Sequence, residues 1–173
     1  MITRSHNIND TVSTATYSDC ERYRYSLKRV WDPAGKRLGF VMLNPSKATE
    51  VQNDPTVERC QRRARKLGYG AFEVTNIFAW RETHPKLMRK ASDPVGPGNN
   101  QALLQSSAWA DALIAAWGVH GDHQDRGPKV LDLLRDLDTP VYHLGLTKAG
   151  HPRHPLYCPY AQQPIAWQRP HPC

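Results

Sequence analysis

Apolar and polar residues form blocks along the chain that predict five strands and three helices after residue 20. The segment 22–31 alternates basic with aromatic or apolar residues, which is typical of an outer strand. A turn at 32–36 joins it to an apolar strand at 37–44, so we expect these two strands to form a hairpin. The remaining strands are predicted at 71–80, 111–118 and 140–147.

Helices are predicted between these strands. The first spans 54–70, where Asp54 can cap the helix, Pro55 suits its first turn and Gly68 can end it. The others are expected at 99–110 and at 128–137, the latter with an inward face of Val130, Leu133, Leu134 and Leu137.

Alternation of strands and helices favours an α/β fold. We expect a three-layer α/β/α arrangement around a central, mostly parallel, four-stranded sheet, with the strand at 22–31 added antiparallel. Residues 1–20 are polar and are expected to be a loose N-terminus, and 21–173 are expected to form a single domain.

Composition narrows the class of protein. Hydrophobic residues make up 39% of the 173, and no apolar run has the length that a membrane span needs. The N-terminus lacks the apolar core of a signal peptide, so a cytoplasmic location without membrane contact is expected. Four scattered cysteines (Cys20, Cys60, Cys158 and Cys173) form no CxxC pair and indicate neither a disulfide framework nor a four-cysteine metal site.

The net charge of +7 and the pI near 9.4 favour a polyanionic partner, and nucleic acid is the first to test. A basic enzyme that never meets nucleic acid remains the alternative.

Polar or small residues end four of the predicted strands. Because ligands of open α/β sheets bind beyond the carboxyl ends of the strands, these ends are expected to converge on one site. They are Asn44-Pro45-Ser46, Thr75-Asn76, Trp117-Gly118, and Thr147-Lys148 leading to His151 and His154.

In their order, these motifs resemble those of the uracil-DNA glycosylase superfamily. "VMLNPS" is similar to the Asn-Pro version found in its mismatch-specific thymine/uracil branch, and "EVTNIF" to a strand whose terminal Asn reads a base edge. "AAWG" resembles the Trp-Gly end of its third strand, and "HPRHPLY" its His-Pro-x-Pro-Leu loop. From about residue 20 onward, the chain also looks like a bacterial and phage domain family of unknown function.

The chain departs from that pattern in two places. Ser46 stands where uracil-specific members place a bulky aromatic residue that shuts out 5-substituted pyrimidines. The histidine loop has Arg153-His154-Pro155 and lacks the usual Ser between the prolines. The open space at Ser46 implies a 5-modified pyrimidine as substrate.

The resemblance implies catalytic roles for Asn44 and His154. Asn44 would hold the attacking water through its side-chain carbonyl, although an amide that only hydrogen-bonds its own loop is the alternative. His154 would donate a hydrogen bond to the departing base, with His151 as a competitor for that role.

The remaining candidate residues would bind substrate or DNA. The expected substrate contacts are Pro45, which stiffens the turn, Ser46, Asn76, Trp80 and Trp117, although capping competes for Asn76 and core packing for both tryptophans. The expected DNA contacts are Lys47, Thr147, Lys148, Arg153, Leu156 and Tyr157. For the basic helix face at Arg59, Arg62, Arg63 and Lys66, a solvated surface is favoured over DNA contact.

The resulting hypothesis is a monofunctional DNA glycosylase that flips a modified pyrimidine, hydrolyses its N-glycosidic bond and leaves an abasic site. Double-stranded DNA is the expected partner, a monomer the expected state, and antiphage defence a further expectation. No cofactor and no metal are expected, and a zinc site between 120–123 and 151–154 is disfavoured. The alternatives are a nucleoside or nucleotide hydrolase or salvage enzyme, and a non-catalytic nucleic-acid binder.

Overall fold

A single mixed sheet runs through the protein, whose structure is a computed structural model that describes residues 1–167. Its strands are Ile2–Ile8 (β1), Thr11–Tyr17 (β2), Arg24–Val30 (β3), Arg37–Met42 (β4), Ala71–Asn76 (β5), Ala112–Ala115 (β6), Val141–His143 (β7) and Ile165–Ala166 (β8). The α-helices are Pro55–Lys66 (α1), Pro85–Met88 (α2), Asn99–Trp109 (α3) and Arg126–Leu133 (α4). Short 3-10 segments lie at Val119–Asp125 and Pro155–Tyr157.

The strand order corrects the predicted fold. The sheet within residues 1–167 has eight strands in the order β1-β2-β3-β5-β4-β6-β7-β8. Pairings β5–β4, β4–β6 and β6–β7 are parallel, and the other four are antiparallel. The prediction of a central four-stranded, mostly parallel sheet between helix layers is therefore wrong.

The first 20 residues, expected to be loose, instead form two strands. β1 and β2 pair antiparallel along their whole length, from Ile2 opposite Tyr17 to Ile8 opposite Thr11. In β2 the inward positions are Thr11, Ser13, Ala15 and Tyr17, and all four are buried. Two of these inward positions carry small hydroxyl side chains, so the segment lacks the apolar alternation by which strands are recognised.

The predicted hairpin between 22–31 and 37–44 is also wrong. β3 pairs with β2 on one side and with β5 on the other, so β5 separates β3 from β4. All six residues of β5 are buried, as expected of a strand covered on both faces and flanked on both edges. β3 is therefore an interior strand, and its basic residues do not all point to solvent.

Two apolar clusters cover the two faces of the sheet. Phe40 and Met42 of β4 pack with Val57, Cys60 and Ala64 of α1 in one cluster. Val41 of β4 belongs to a second cluster, to which α2, α3 and α4 contribute Met88, Leu103 and Val130. Because side chains alternate across a strand, the same short segment anchors both clusters.

The predicted helices are present with shorter bounds. Asp54 caps α1, since its Oδ1 accepts a hydrogen bond from the Val57 N–H at 2.9 Å. Pro55 begins the helix, and Gly68, at φ +81°, lies just beyond its end. In α4 and its C-cap, Val130 and Leu134 point into the core as expected, whereas Leu133 is only half-buried.

Candidate functional site

A cavity of about 890 Å³ opens at the carboxyl ends of β4 and β5, beside the segment after β6 and the N-terminus of α1. Residues from all four predicted strand ends line it, so the expected convergence is present. From the predicted site the lining includes Asn44, Ser46, Lys47, Asn76, Trp117, Thr147, Arg153, His154, Leu156 and Tyr157. Their chemical roles remain predictions.

Asn44 is held by its amide nitrogen. Nδ2 donates to the main-chain oxygen of Glu82 at 2.5 Å and to that of Pro45 at 3.3 Å. Within the described residues Oδ1 accepts no hydrogen bond, which leaves it available as an acceptor on the cavity wall. The loop-bridging role and a water-holding role therefore use different atoms of one side chain.

His154 is half-buried and neutral at pH 7. Burial lowers its pKa to about 4, with Asp54 acting in the opposite direction. Nδ1 accepts from the Leu156 N–H at 3.3 Å, so in the neutral ring the proton resides on Nε2. The side chain is thus a neutral N–H donor rather than an imidazolium.

Asn76 ends β5 and is only 2% exposed. Its Oδ1 is buried without a hydrogen-bond partner among residues 1–167, although the residue lines the cavity. A buried amide oxygen without a partner is costly, and a ligand N–H would satisfy it.

Trp117 forms part of the cavity wall and is also almost fully buried. Its ring packs against that of Trp167, with centroids 5.8 Å apart. A Cβ at Gly121 would lie 2.1 Å from Trp117 Cδ1, so only glycine allows the chain to pass this close to the indole. The Trp117 indole therefore packs in the core and also lines the cavity.

The mouth of the cavity carries polar, basic and apolar side chains. Ser46 Oγ and Thr83 Oγ1 are 3.1 Å apart, which ties the loop after β4 to the segment after β5. Lys47 and Arg153 are exposed, and so are Leu156 and Tyr157, the latter by 79%.

Three predicted site residues lie outside the lining. Pro45 is buried, and its carbonyl accepts from the Glu82 N–H at 2.9 Å. Trp80 packs edge-on against Tyr23, with ring centroids 5.4 Å apart. Lys148 lies in the exposed turn that follows Thr147. These positions support a structural role for Pro45 and Trp80.

Sequence reasoning missed Arg24, which lines the cavity although it is 2% exposed. An outer strand would have placed this side chain in solvent, and only the N-terminal hairpin makes β3 interior. Glu82, also unrecognised, lines the cavity, as do His120, which was weighed only as a zinc ligand, and Asp54, whose capping role was predicted.

Two arginines of α1 hold the chain that follows His154. Arg59 donates to the carbonyls of Pro155 at 3.1 Å and Cys158 at 2.7 Å. Arg63 donates to the carbonyls of Cys158, Pro159 and Gln162. The expectation of a solvated face is wrong for these two, whereas Arg62 is exposed as expected.

The described residues contain no group of three or more His, Cys, Asp and Glu side chains placed to hold a metal ion. Cys20, Cys60 and Cys158 are free thiols, and Cys173 lies outside the described residues. No helix within residues 1–167 has the length and apolar character to cross a membrane.

Comparison with family models gives one match, a model whose description is "Protein of unknown function (DUF1643)", over residues 24–156. The chain belongs to the DUF1643 family. The match starts at the first residue of β3 and ends at Leu156, so the DUF1643 region includes Arg24, Asn44, Asn76 and His154. Neither the search of curated proteins nor that of solved structures found a match. Nothing in these comparisons links this DUF1643 protein to the uracil-DNA glycosylase superfamily.

Proposed function

We propose that this DUF1643 protein is a DNA glycosylase that hydrolyses the N-glycosidic bond of a flipped, 5-substituted pyrimidine and leaves an abasic site. The observation that carries the proposal is the pairing, in one cavity, of a free acceptor on Asn44 with a neutral N–H donor on His154. The resemblance of four strand-end motifs to the uracil-DNA glycosylase superfamily supports it.

The two side chains match the two demands of this reaction. Cleavage of a glycosidic bond passes through a sugar cation, so a water needs positioning at the sugar carbon more than it needs a strong base. Asn44 Oδ1 can accept a hydrogen bond from that water. The base leaves with negative charge, which a fixed donor such as His154 Nε2–H stabilises by about 3 kcal/mol.

The size and lining of the cavity favour a substituted base. About 890 Å³ lies toward the upper end of ordinary small-molecule sites, which leaves room around a pyrimidine ring. The small Ser46 side chain at the wall leaves that room open, and Asn76 can accept a hydrogen bond from a base N–H.

The mouth of the cavity favours DNA over a free nucleoside. Lys47 and Arg153 can contact phosphates, and the exposed Leu156 and Tyr157 can fill the gap that an extruded base leaves in the stack. A nucleoside hydrolase would need neither a cationic mouth nor exposed apolar residues beside it.

The proposal is tested on duplexes that contain uracil, hydroxymethylcytosine or glucosylated hydroxymethylcytosine at one position. After incubation, alkali cleaves the strand wherever an abasic site has formed. We expect cleavage of at least one modified duplex, and a loss of about 100-fold or more in rate for Asn44→Ala or His154→Ala.

His151→Ala is the matched control, because His151 lies in the same loop but outside the cavity lining. It should cleave at close to the normal rate. The proposal would be contradicted if no duplex formed abasic sites. Normal cleavage by Asn44→Ala would also contradict it.

A further inference from the structure

Arg24 introduces a buried positive charge into the wall of the cavity. It lies at the start of β3, lines the cavity and is 2% exposed. The catalytic scheme above gives this guanidinium no part.

Arg24 is the least satisfied of the four buried arginines of the described chain. Arg29 and Arg63 each donate three hydrogen bonds, and Arg126 donates two. Arg24 donates one, from Nη1 to the carbonyl of Ala48 at 2.6 Å, and its buried Nε has no partner in the described residues.

The charge of Arg24 is also unpaired. Arg24 forms no ion pair within the part of the chain that the structure describes. Asp54 also lines the cavity, and its oxygens accept from the N–H groups of Val57 and Ala48. Burial lowers the pKa of Arg24 to about 10, even though Asp54 acts to raise it. A guanidinium remains protonated at that pKa, and a buried unpaired charge is destabilising unless a ligand neutralises it.

We propose that Arg24 forms a subsite for an oxyanion carried by the substrate, either a phosphate or a carboxylate. The free Nε–H and the planar guanidinium suit such a group, which arginine binds through parallel hydrogen bonds. The inference rests on the proposed function, because it takes a pyrimidine nucleotide as the molecule that carries the oxyanion. It adds that the substrate must present a phosphate or a carboxylate to Arg24. Asn76 Oδ1 would accept from a base N–H in the same cavity.

A purely structural role for Arg24 makes a different prediction. Through Ala48, its side chain supports the loop between β4 and α1, and Arg29 supports the same loop through the carbonyl of Thr49 at 2.6 Å. Arg29 is buried but does not line the cavity, so Arg29→Met is a matched control for loss of loop support alone.

The test is calorimetric titration with two pairs of probes and involves no bond cleavage. One pair is a pyrimidine nucleoside and its 5′-monophosphate, and the other is a pyrimidine base with and without a carboxylate substituent. We expect the anionic member of one pair to bind about 10- to 100-fold more tightly, and the pair that shows the preference identifies the source of the oxyanion.

Arg24→Met should abolish this preference, Arg24→Lys should retain part of it, and Arg29→Met should keep it. Because the readout is binding and involves no bond cleavage, the subsite and the glycosylase proposal can fail separately. The inference is overturned if neither pair shows a preference, if no probe binds, or if Arg24→Met and Arg29→Met change the preference equally.

Discussion

The Asn44 side chain shows why an amide, rather than a carboxylate, suits the end of β4. Its Nδ2 lies 2.5 Å from the Glu82 carbonyl oxygen and 3.3 Å from that of Pro45. A carboxylate oxygen in the same place would face two acceptors with nothing to donate. The amide therefore bridges two loops and keeps an acceptor for the cavity, which a carboxylate could do only when protonated.

The burial of His154 predicts acid sensitivity. Its pKa is lowered to about 4 in the folded protein, against about 6.5 when unfolded, so the unfolded chain binds the extra proton first. Little is lost above pH 7, and stability falls as the pH drops through 6.5 towards 4. At pH 5 the cost is about 2 kcal/mol relative to pH 7.

Urea denaturation at pH 7 and pH 5 measures this cost. The His154→Gln variant should lose about 2 kcal/mol less than the unmodified protein over that interval, because glutamine takes up no proton. Equal losses for the two proteins would show that His154 titrates normally in the fold.

At the scale of elements, α1 connects Asp54 in the cavity lining with the segment that follows His154. Its N-terminus lines the cavity through Asp54, while Arg59 holds the carbonyls of Pro155 and Cys158 next to His154. The orientation of His154 therefore depends on a helix whose N-terminus also lines the cavity.

Arg59→Met should loosen the 3-10 turn that follows His154. Removing two charge-assisted hydrogen bonds to carbonyls is expected to cost about 2 kcal/mol in the free energy of unfolding and several-fold in glycosylase rate. Arg62→Met is the control on the same helix, since its ion pair with Glu58 is exposed and should contribute little to stability. Similar effects of the two substitutions would argue against this positioning role.

At the scale of the whole molecule, part of the net charge of +7 lies around the cavity. Lys47, Lys148 and Arg153 lie at or beside the mouth of the cavity, where the backbone of a bound duplex would run. Other basic residues, such as Arg63, are instead committed to main-chain carbonyls inside the protein.

Three phosphate contacts predict a marked salt dependence of DNA binding. The affinity should fall roughly 40-fold between about 50 and 200 mM salt, as measured by fluorescence anisotropy. Replacing all three cations by Ala should flatten this dependence, whereas Lys36→Ala, in the exposed turn before β4, should not. An affinity that does not change with salt would favour a small-molecule substrate.

The apolar runs of β4, β5 and β6 could be read from the sequence because strands buried on both faces leave a strong signal. So could the polar tips that line the cavity. The N-terminal hairpin could not, because its inward residues include Thr11 and Ser13. Arg24 was missed for the same reason, since its burial depends on that hairpin and on pairing distant in sequence.

The central claim is that Asn44 and His154 release a base from DNA, and mass spectrometry of the released small molecules tests it most directly. After incubation with phage genomic DNAs that carry modified pyrimidines, the account predicts a free modified base in the filtrate and abasic sites in the DNA. Neither should appear with Asn44→Ala. Release of a nucleotide or nucleoside instead of a base, or of nothing from any of these DNAs, would contradict it.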